Sequence, residues 1–101
     1  MPTYKVIFRP RAAKAFHKLS SSLKAQIARK LKQRVDNPKV EADRMRELPD
    51  GYRLKFRASG LRLVYIVEDA KLVVLVLSVG HRERDEVYAD AFREFRKLED
   101  G

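Results

Sequence analysis

Alternating apolar and polar residues predict a β-hairpin in the middle of the chain. In the stretch 51–65, apolar residues at positions 52, 54 and 56 alternate with positively charged ones, and a second alternating run follows Ser59-Gly60. A period of two is typical of a strand with one buried face. We place a tight turn at Ser59-Gly60 and a register that sets Leu54 opposite Tyr65, because this register matches apolar side chains.

The polar face of this hairpin is cationic. Arg53, Lys55 and Arg57 take three successive outward positions, and the expected register sets Arg57 opposite Arg62. Like charges directly across a ladder are destabilising. One interpretation is therefore that the face binds an anion, and the other is that it is a solvated basic edge.

The first forty residues predict one strand and two helices. Residues 3–9 alternate like a strand, and Pro10 suits the first turn of a helix that runs to about Leu19. Apolar residues then repeat every four positions from Leu23 to Val35, which is typical of an amphipathic helix. Asn37-Pro38 ends that helix.

The second half predicts a meander of strands and a last helix. Residues 39–50 read as an irregular connection with room for a short strand, and residues 72–77 are apolar on both faces, as in a central covered strand. A stripe from Val87 to Leu98 predicts a final helix. The order β-α-α-β-β-β-α indicates one domain, 1–101, of the α+β class with a small, mostly antiparallel sheet.

Composition excludes several classes of site. The chain has no cysteine, so disulfides and thiolate metal sites are excluded, and its two histidines cannot form a zinc site unaided. We expect no metal and no cofactor. No run of residues predicts a membrane span or a secretory signal, so we expect a cytoplasmic protein without a membrane partner.

Charge is the strongest compositional signal. The formal net charge is +9, and residues 1–40 contain eleven cationic residues and one acidic residue. Such an excess in a small domain is typical of proteins that meet nucleic acid or another polyanion. Plain solubility and an acidic protein partner are the alternatives.

Three segments together resemble the RelE family of bacterial toxins. They are Leu-Pro-Asp-Gly-Tyr before the hairpin, Arg-x-Ser-Gly-x-Arg-Leu-Val-Tyr at 57–65, and Ser-Val-Gly-x-Arg-Glu-Arg-x-Glu-Val-Tyr at 78–88. The resemblance covers nearly the whole chain. It implies a fold related to small microbial ribonucleases and a metal-independent endoribonuclease, the toxin of a type II toxin–antitoxin system.

The resemblance also implies partners. The toxin would act in the A site of the 70S ribosome, on mRNA and against 16S rRNA, and so inhibit translation. A RelB-like antitoxin would neutralise it, and operator DNA would be bound only through that complex. Two other functions stay open: a non-catalytic relative that inhibits by binding, as gyrase-directed toxins do, and a plain RNA-binding module.

Five residues are candidates for the chemistry of RNA cleavage. Neighbouring cations disfavour the protonated form of Lys55, which makes it the candidate general base. Arg53 stands where the family has a lysine, and an arginine cannot act as a base, so we expect it to bind phosphate. By resemblance, Arg62 stabilises the transition state, Arg82 assists the leaving group, and Tyr88 stacks on an mRNA base.

Other basic residues are candidates for RNA contacts. Arg46 precedes the hairpin, Arg57 lies on its cationic face, and His81 stands where the family has a lysine. For His81 we expect an RNA contact, with proton transfer as the alternative. The second helix supplies a further basic set, expected to hold ribosomal RNA: Arg29, Lys30, Lys32 and Arg34.

Overall fold

The computed structural model describes residues 3–81 and 86–100. It contains five strands and three helices in this order: β1 Lys5–Phe8, α1 Pro10–His17, α2 Ser21–Arg34, β2 Arg44–Met45, β3 Gly51–Phe56, β4 Leu61–Glu68, β5 Val73–His81 and α3 Glu86–Asp100. Two 3-10 turns, Glu41–Asp43 and Asp69–Lys71, complete the connections. The predicted order of elements is confirmed, and the short strand before the hairpin is β2.

The strands form one sheet in the order β1-β5-β4-β3-β2. Only β1 and β5 pair in parallel; the other neighbours are antiparallel, which confirms the α+β class. The predicted apolar strand is β5, which has a neighbour on each side. None of the helices in the described ranges has the length and apolar character needed to cross a membrane.

Helices cover both faces of the sheet. On one face, α1 and α2 contribute Ala12, Ile27 and Leu31 to a core shared with alternate residues of β3, β4 and β5. On the other face, α3 contributes Val87 and Ala91 to a second core with Met45, Leu48, Val64, Ile66, Val73, Leu75 and Leu77. We call the second face the α3 face of the sheet.

The hairpin register differs from the sequence prediction by two residues. Leu54 pairs with Leu63 instead of Tyr65, and Phe56 pairs with Leu61. Residues 57–60 form a four-residue turn, in which the Gly60 amide donates to the Phe56 carbonyl at 3.0 Å and Gly60 has a φ of 75°. Glycine adopts this left-handed conformation without steric cost. A shift of two leaves each side chain on its predicted face.

A buried ion pair fastens α3 to the start of α1. Glu94 is 3% exposed, and its carboxylate accepts from Arg9 Nε at 3.0 Å and from Lys97 Nζ at 3.2 Å. Burial alone would raise the pKa of Glu94, but the bonds from Arg9 and Lys97 outweigh it and hold the pKa below its ordinary value of 4.5. The charged form is therefore the one that the fold stabilises.

We expect Arg9→Gln to lower the free energy of unfolding at pH 7 by about 1.5–3 kcal/mol, the range for a hydrogen bond to a charged group. Because the folded pKa of Glu94 is depressed, its contribution is complete above about 4.5 and is lost as the pH falls through the folded pKa. The destabilisation should therefore shrink between pH 7 and pH 3 in urea titrations. Arg93→Gln breaks an exposed ion pair with Asp90 and should cost about 1 kcal/mol or less.

Candidate active site

Three cationic residues meet on the α3 face of the sheet. Lys55 of β3 pairs directly with Arg62 of β4, and Arg53 lies two residues further along β3. Opposite residues in an antiparallel ladder have Cβ atoms about 4.5–5.5 Å apart, and diagonal neighbours lie about 7–8 Å apart. We call Arg53, Lys55 and Arg62 the cationic cluster.

Arg57 does not belong to this cluster. The sequence prediction placed Arg57 opposite Arg62, but β3 ends at Phe56 and Arg57 is exposed in the turn. Lys55 takes its place across from Arg62. In the observed register, the candidate base Lys55 and the candidate transition-state residue Arg62 therefore form one cross-strand pair.

The packing of α3 explains why the cluster is half-enclosed. The helix covers β4 and β5, so Arg62 is only 6% exposed, whereas Arg53 and Lys55 on β3 are half-buried. Arg62 donates to the backbone carbonyl of Leu61 at 3.0 Å. The sequence pattern predicted the polar face of the hairpin for Arg62, but it did not predict that the side chain is buried on that face.

The cluster has unused hydrogen-bond donors. Within residues 3–81 and 86–100, no carboxylate forms an ion pair with Arg53, Lys55 or Arg62. The buried Nε of Arg53 also lacks a hydrogen-bond partner within this part of the chain. Guanidinium groups suit bidentate contacts with phosphate oxygens. An anion with several oxygens is the ligand that this arrangement fits.

Tyr88 lies on the same side of the sheet. It is in the first turn of α3 and is half-buried against the core that includes Val64 and Ile66. Its ring thus has an apolar side and an open side, as a stacking platform requires. Arg82, the predicted leaving-group residue, lies outside the described residues.

His81 lies on the other side of the sheet. It pairs with Leu61, whose side chain belongs to the α1 and α2 core, and it is exposed at the end of β5. It lines a groove of about 960 Å³ between the α1 region, which contributes Arg11, Lys14 and Lys18, and the start of α3, which contributes Glu86 and Asp90. Both roles considered for His81, an RNA contact and proton transfer beside Arg82, stay predictions.

The basic residues of α2 divide into two kinds. Arg29 and Lys32 are exposed. Lys30 is attached to the hairpin: its ammonium donates to the Lys55 carbonyl at 3.0 Å and lies 5.1 Å from the centre of the Phe56 ring. Arg34 forms an ion pair with Asp43 at 2.6 Å, with only 17% of its side chain exposed. We therefore leave Arg34 out of the candidate RNA surface.

A polar groove of about 470 Å³ connects α2 with the cationic cluster. Its cationic lining is Arg29, Lys30, Lys55 and Arg57, and Gln26 and Gln33 add amide groups. Arg46 is exposed in the connection between β2 and β3. Of the predicted RNA-binding residues, Arg29 and Lys30 of α2 and Arg57 of the turn thus line one groove with Lys55, whereas Lys32 and Arg34 do not.

Sequence reasoning did not single out Ser78 as a site residue. Ser78 is 3% exposed, and its hydroxyl donates to the backbone carbonyl of Val87 at 2.6 Å. The sequence does contain an indication of its role, because a single hydroxyl in a run of buried apolar residues needs a hydrogen-bond partner. The sequence could not show that the partner belongs to α3.

Comparison with known proteins identifies the family. A family model described as the ParE toxin of type II toxin–antitoxin systems matches residues 6–86. The mRNA interferase toxin RelE of Escherichia coli K12 is 47% identical over 90 residues, which cover 89% of this chain and 95% of that protein.

Solved structures agree with this match. A mutant of E. coli toxin RelE in the free state has a TM-score of 0.85 at 44% identity and covers 90% of this chain and 96% of its own. The intact E. coli RelBE toxin–antitoxin complex contains a chain with a TM-score of 0.77 at 46% identity, covering 80% of this chain and 99% of its own. The chain therefore belongs to the RelE/ParE family of toxins of type II toxin–antitoxin systems.

Proposed function

We propose that this protein is an endoribonuclease toxin that cleaves mRNA in the A site of the ribosome. The observation that carries the proposal is the cationic cluster, whose donors have no acidic partner within the described chain. The relative named mRNA interferase toxin RelE, at 47% identity, supports the same reaction class.

The reaction that suits these residues uses the 2′-hydroxyl of the mRNA as nucleophile. The bond from the 2′ oxygen to phosphorus forms while the bond to the leaving 5′ oxygen breaks, so the upstream fragment ends in a 2′,3′-cyclic phosphate. Lys55 accepts the 2′ proton, and Arg62 and Arg53 bind the phosphoryl oxygens, where negative charge develops. Acid–base help contributes roughly 10²–10⁴-fold, and fixed donors contribute roughly 10²–10³-fold each.

Tyr88 holds the reacting nucleotide. Stacking on an aromatic side chain contributes about 1–3 kcal/mol per base and tolerates every base. A stacked base fixes the sugar beside the Lys55–Arg62 pair, which in-line attack requires. Arg82 assists the departing 5′ oxygen by electrostatic stabilisation, since a guanidinium is a poor acid, and solvent water supplies the proton that this oxygen gains as the 5′-hydroxyl forms.

The basic surface outside the cluster holds the ribosome. Arg29, Lys30 and Arg57 line a groove together with Lys55. Lys32, Arg46 and His81 are exposed and extend the basic surface. Contacts of this kind are with the backbone of mRNA and 16S ribosomal RNA and weaken steeply with salt.

A RelB-like antitoxin neutralises this toxin. Structures of the RelE relatives include a complex with the antitoxin RelB and one with an antitoxin peptide. Operator DNA is bound only through the toxin–antitoxin complex. The acting compartment is the cytoplasm, where ribosomes and mRNA meet.

The test is an in vitro translation reaction programmed with a defined A-site codon. Mapped mRNA ends should show a cut within that codon when protein and ribosomes are both present, and none when ribosomes are omitted. A toxin that inhibits by binding alone, the alternative that the sequence left open, would stop growth on expression and leave the mRNA intact. Intact mRNA would overturn the proposal.

A further inference from the structure

Within residues 3–81 and 86–100, one polar contact joins the first turn of α3 to the sheet. The Ser78 hydroxyl donates to the Val87 carbonyl at 2.6 Å, and Ser78 is the one buried hydroxyl among the strand residues Val73–Val79. A carbonyl oxygen has two lone pairs, so Val87 can accept this bond besides its own helical bond. The contact is therefore compatible with an intact helix.

A glycine in β5, Gly80, also allows the first turn of α3 to approach the strand closely. A Cβ atom at Gly80 would lie 3.3 Å from the Cβ atom of Val87, which is tighter than ordinary contact. In the ladder, Gly80 pairs with Arg62 and Ser78 pairs with Val64. The first turn of α3 thus packs on a part of β5 that is directly paired with Arg62 of β4.

We propose that Ser78 is a positioning residue, whose hydroxyl fixes the first turn of α3 so that Tyr88 is held beside the Lys55–Arg62 pair. The inference rests on the proposed function, because it concerns the same reaction. Val87, which accepts the bond, immediately precedes Tyr88 in the chain. A small rotation or slide of this turn would move the ring directly.

The physical reason is directionality. Among the described residues, the other contacts of this part of α3 with the sheet are apolar, through Val87 and Ala91. Apolar burial is non-directional and fixes neither the rotation nor the slide of a helix closely. A hydrogen bond weakens steeply away from its preferred distance and angle. Ser78 therefore supplies a geometric constraint that the apolar core lacks.

The test compares two buried hydroxyl-to-carbonyl bonds of equal length. Ser78→Ala removes the bond to Val87, and Tyr65→Phe removes a bond from the Tyr65 hydroxyl to the Pro38 carbonyl, also at 2.6 Å, on the opposite face of the sheet. Each variant should lower the melting temperature by about 4–8 °C. Only Ser78→Ala should slow single-turnover mRNA cleavage, by roughly tenfold to a hundredfold.

A double-mutant comparison separates positioning from general weakening. If Ser78 acts through Tyr88, adding Ser78→Ala to Tyr88→Ala should cause no further loss of rate. Ser78→Cys, which keeps a weak hydrogen-bond donor at this position, should recover part of the rate.

Three results would overturn the inference. They are a normal rate for Ser78→Ala, an equal loss of rate in Tyr65→Phe, and the same loss from Ser78→Ala with or without Tyr88. The unmodified protein is measured in the same assay as the variants. If it does not cleave mRNA, the proposed function is overturned, and the role of Ser78 with it.

Discussion

Lys55→Arg should slow mRNA cleavage by roughly 10²–10⁴-fold, although it keeps the positive charge. An arginine binds phosphate at least as well as a lysine but cannot give up its proton at any pH that the protein survives. Loss of rate in this variant therefore reports the proton-accepting role alone. The rate should be measured in single-turnover reactions on ribosomes at saturating protein.

Lys71→Arg is the matched control for this change. Lys71 lies in the turn between β4 and β5, 73% exposed, with Glu68 as its partner. The same substitution there should leave the rate unchanged. Full activity in Lys55→Arg would show that Lys55 contributes only charge, and the 2′ proton would then need another acceptor.

Arg62→Ala should lower the cleavage rate by roughly 10²–10³-fold, the loss seen when one fixed donor is removed from a developing negative charge. Arg62→Lys should recover only part of the rate, because an ammonium group cannot make the bidentate contact. Arg96→Ala, an exposed change on α3, is the control for the loss of one positive charge and should have little effect.

The same Arg62 variant makes a second, opposite prediction for stability. Arg62 is 6% exposed and faces Lys55 across the ladder. A buried charge beside a like charge is unfavourable, so its removal should leave the free energy of unfolding unchanged or raise it. Loss of activity together with a lower melting temperature would indicate a structural role instead.

The alternation of residues in the hairpin was enough to predict its faces but not its register. The pattern in 51–65 placed the even-numbered residues of β3 in the core, which is confirmed. The turn was the source of the error, because Ser59 and Gly60 close a four-residue loop onto the Phe56 carbonyl. Sequence pattern cannot separate two registers that differ by two, since both match apolar residues to each other.

The sequence predicted the excess of basic residues correctly, but it did not predict which of them form ion pairs. Residues 1–40 have a single acidic residue, which suggested unpaired basic helices. In the structure, Arg9 pairs with Glu94 and Arg34 pairs with Asp43, both beyond that range. Such pairs depend on tertiary contacts, which the local pattern of residues does not predict. Fewer cationic side chains are therefore available to bind RNA than the composition suggests.

The burial of Arg62 in the candidate site likewise depends on a tertiary contact that the sequence pattern does not predict. Its place on the polar face followed from the period of β4, but its enclosure depends on where α3 packs. The prediction that Tyr88 contributes to the site came from family resemblance, and the structure adds that Tyr88 and the cationic cluster share one side of the sheet. The role of each residue in cleavage stays a prediction.

The most direct test of the account is cleavage of two ribosome-bound mRNAs that differ in one atom. One mRNA is all-ribose, and the other has a 2′-deoxy nucleotide immediately upstream of the mapped cut. The account predicts that the first is cut and leaves a 2′,3′-cyclic phosphate, whereas the second stays intact at that bond. Equal cutting of both mRNAs at that bond would contradict attack by the 2′-hydroxyl and, with it, the role assigned to Lys55.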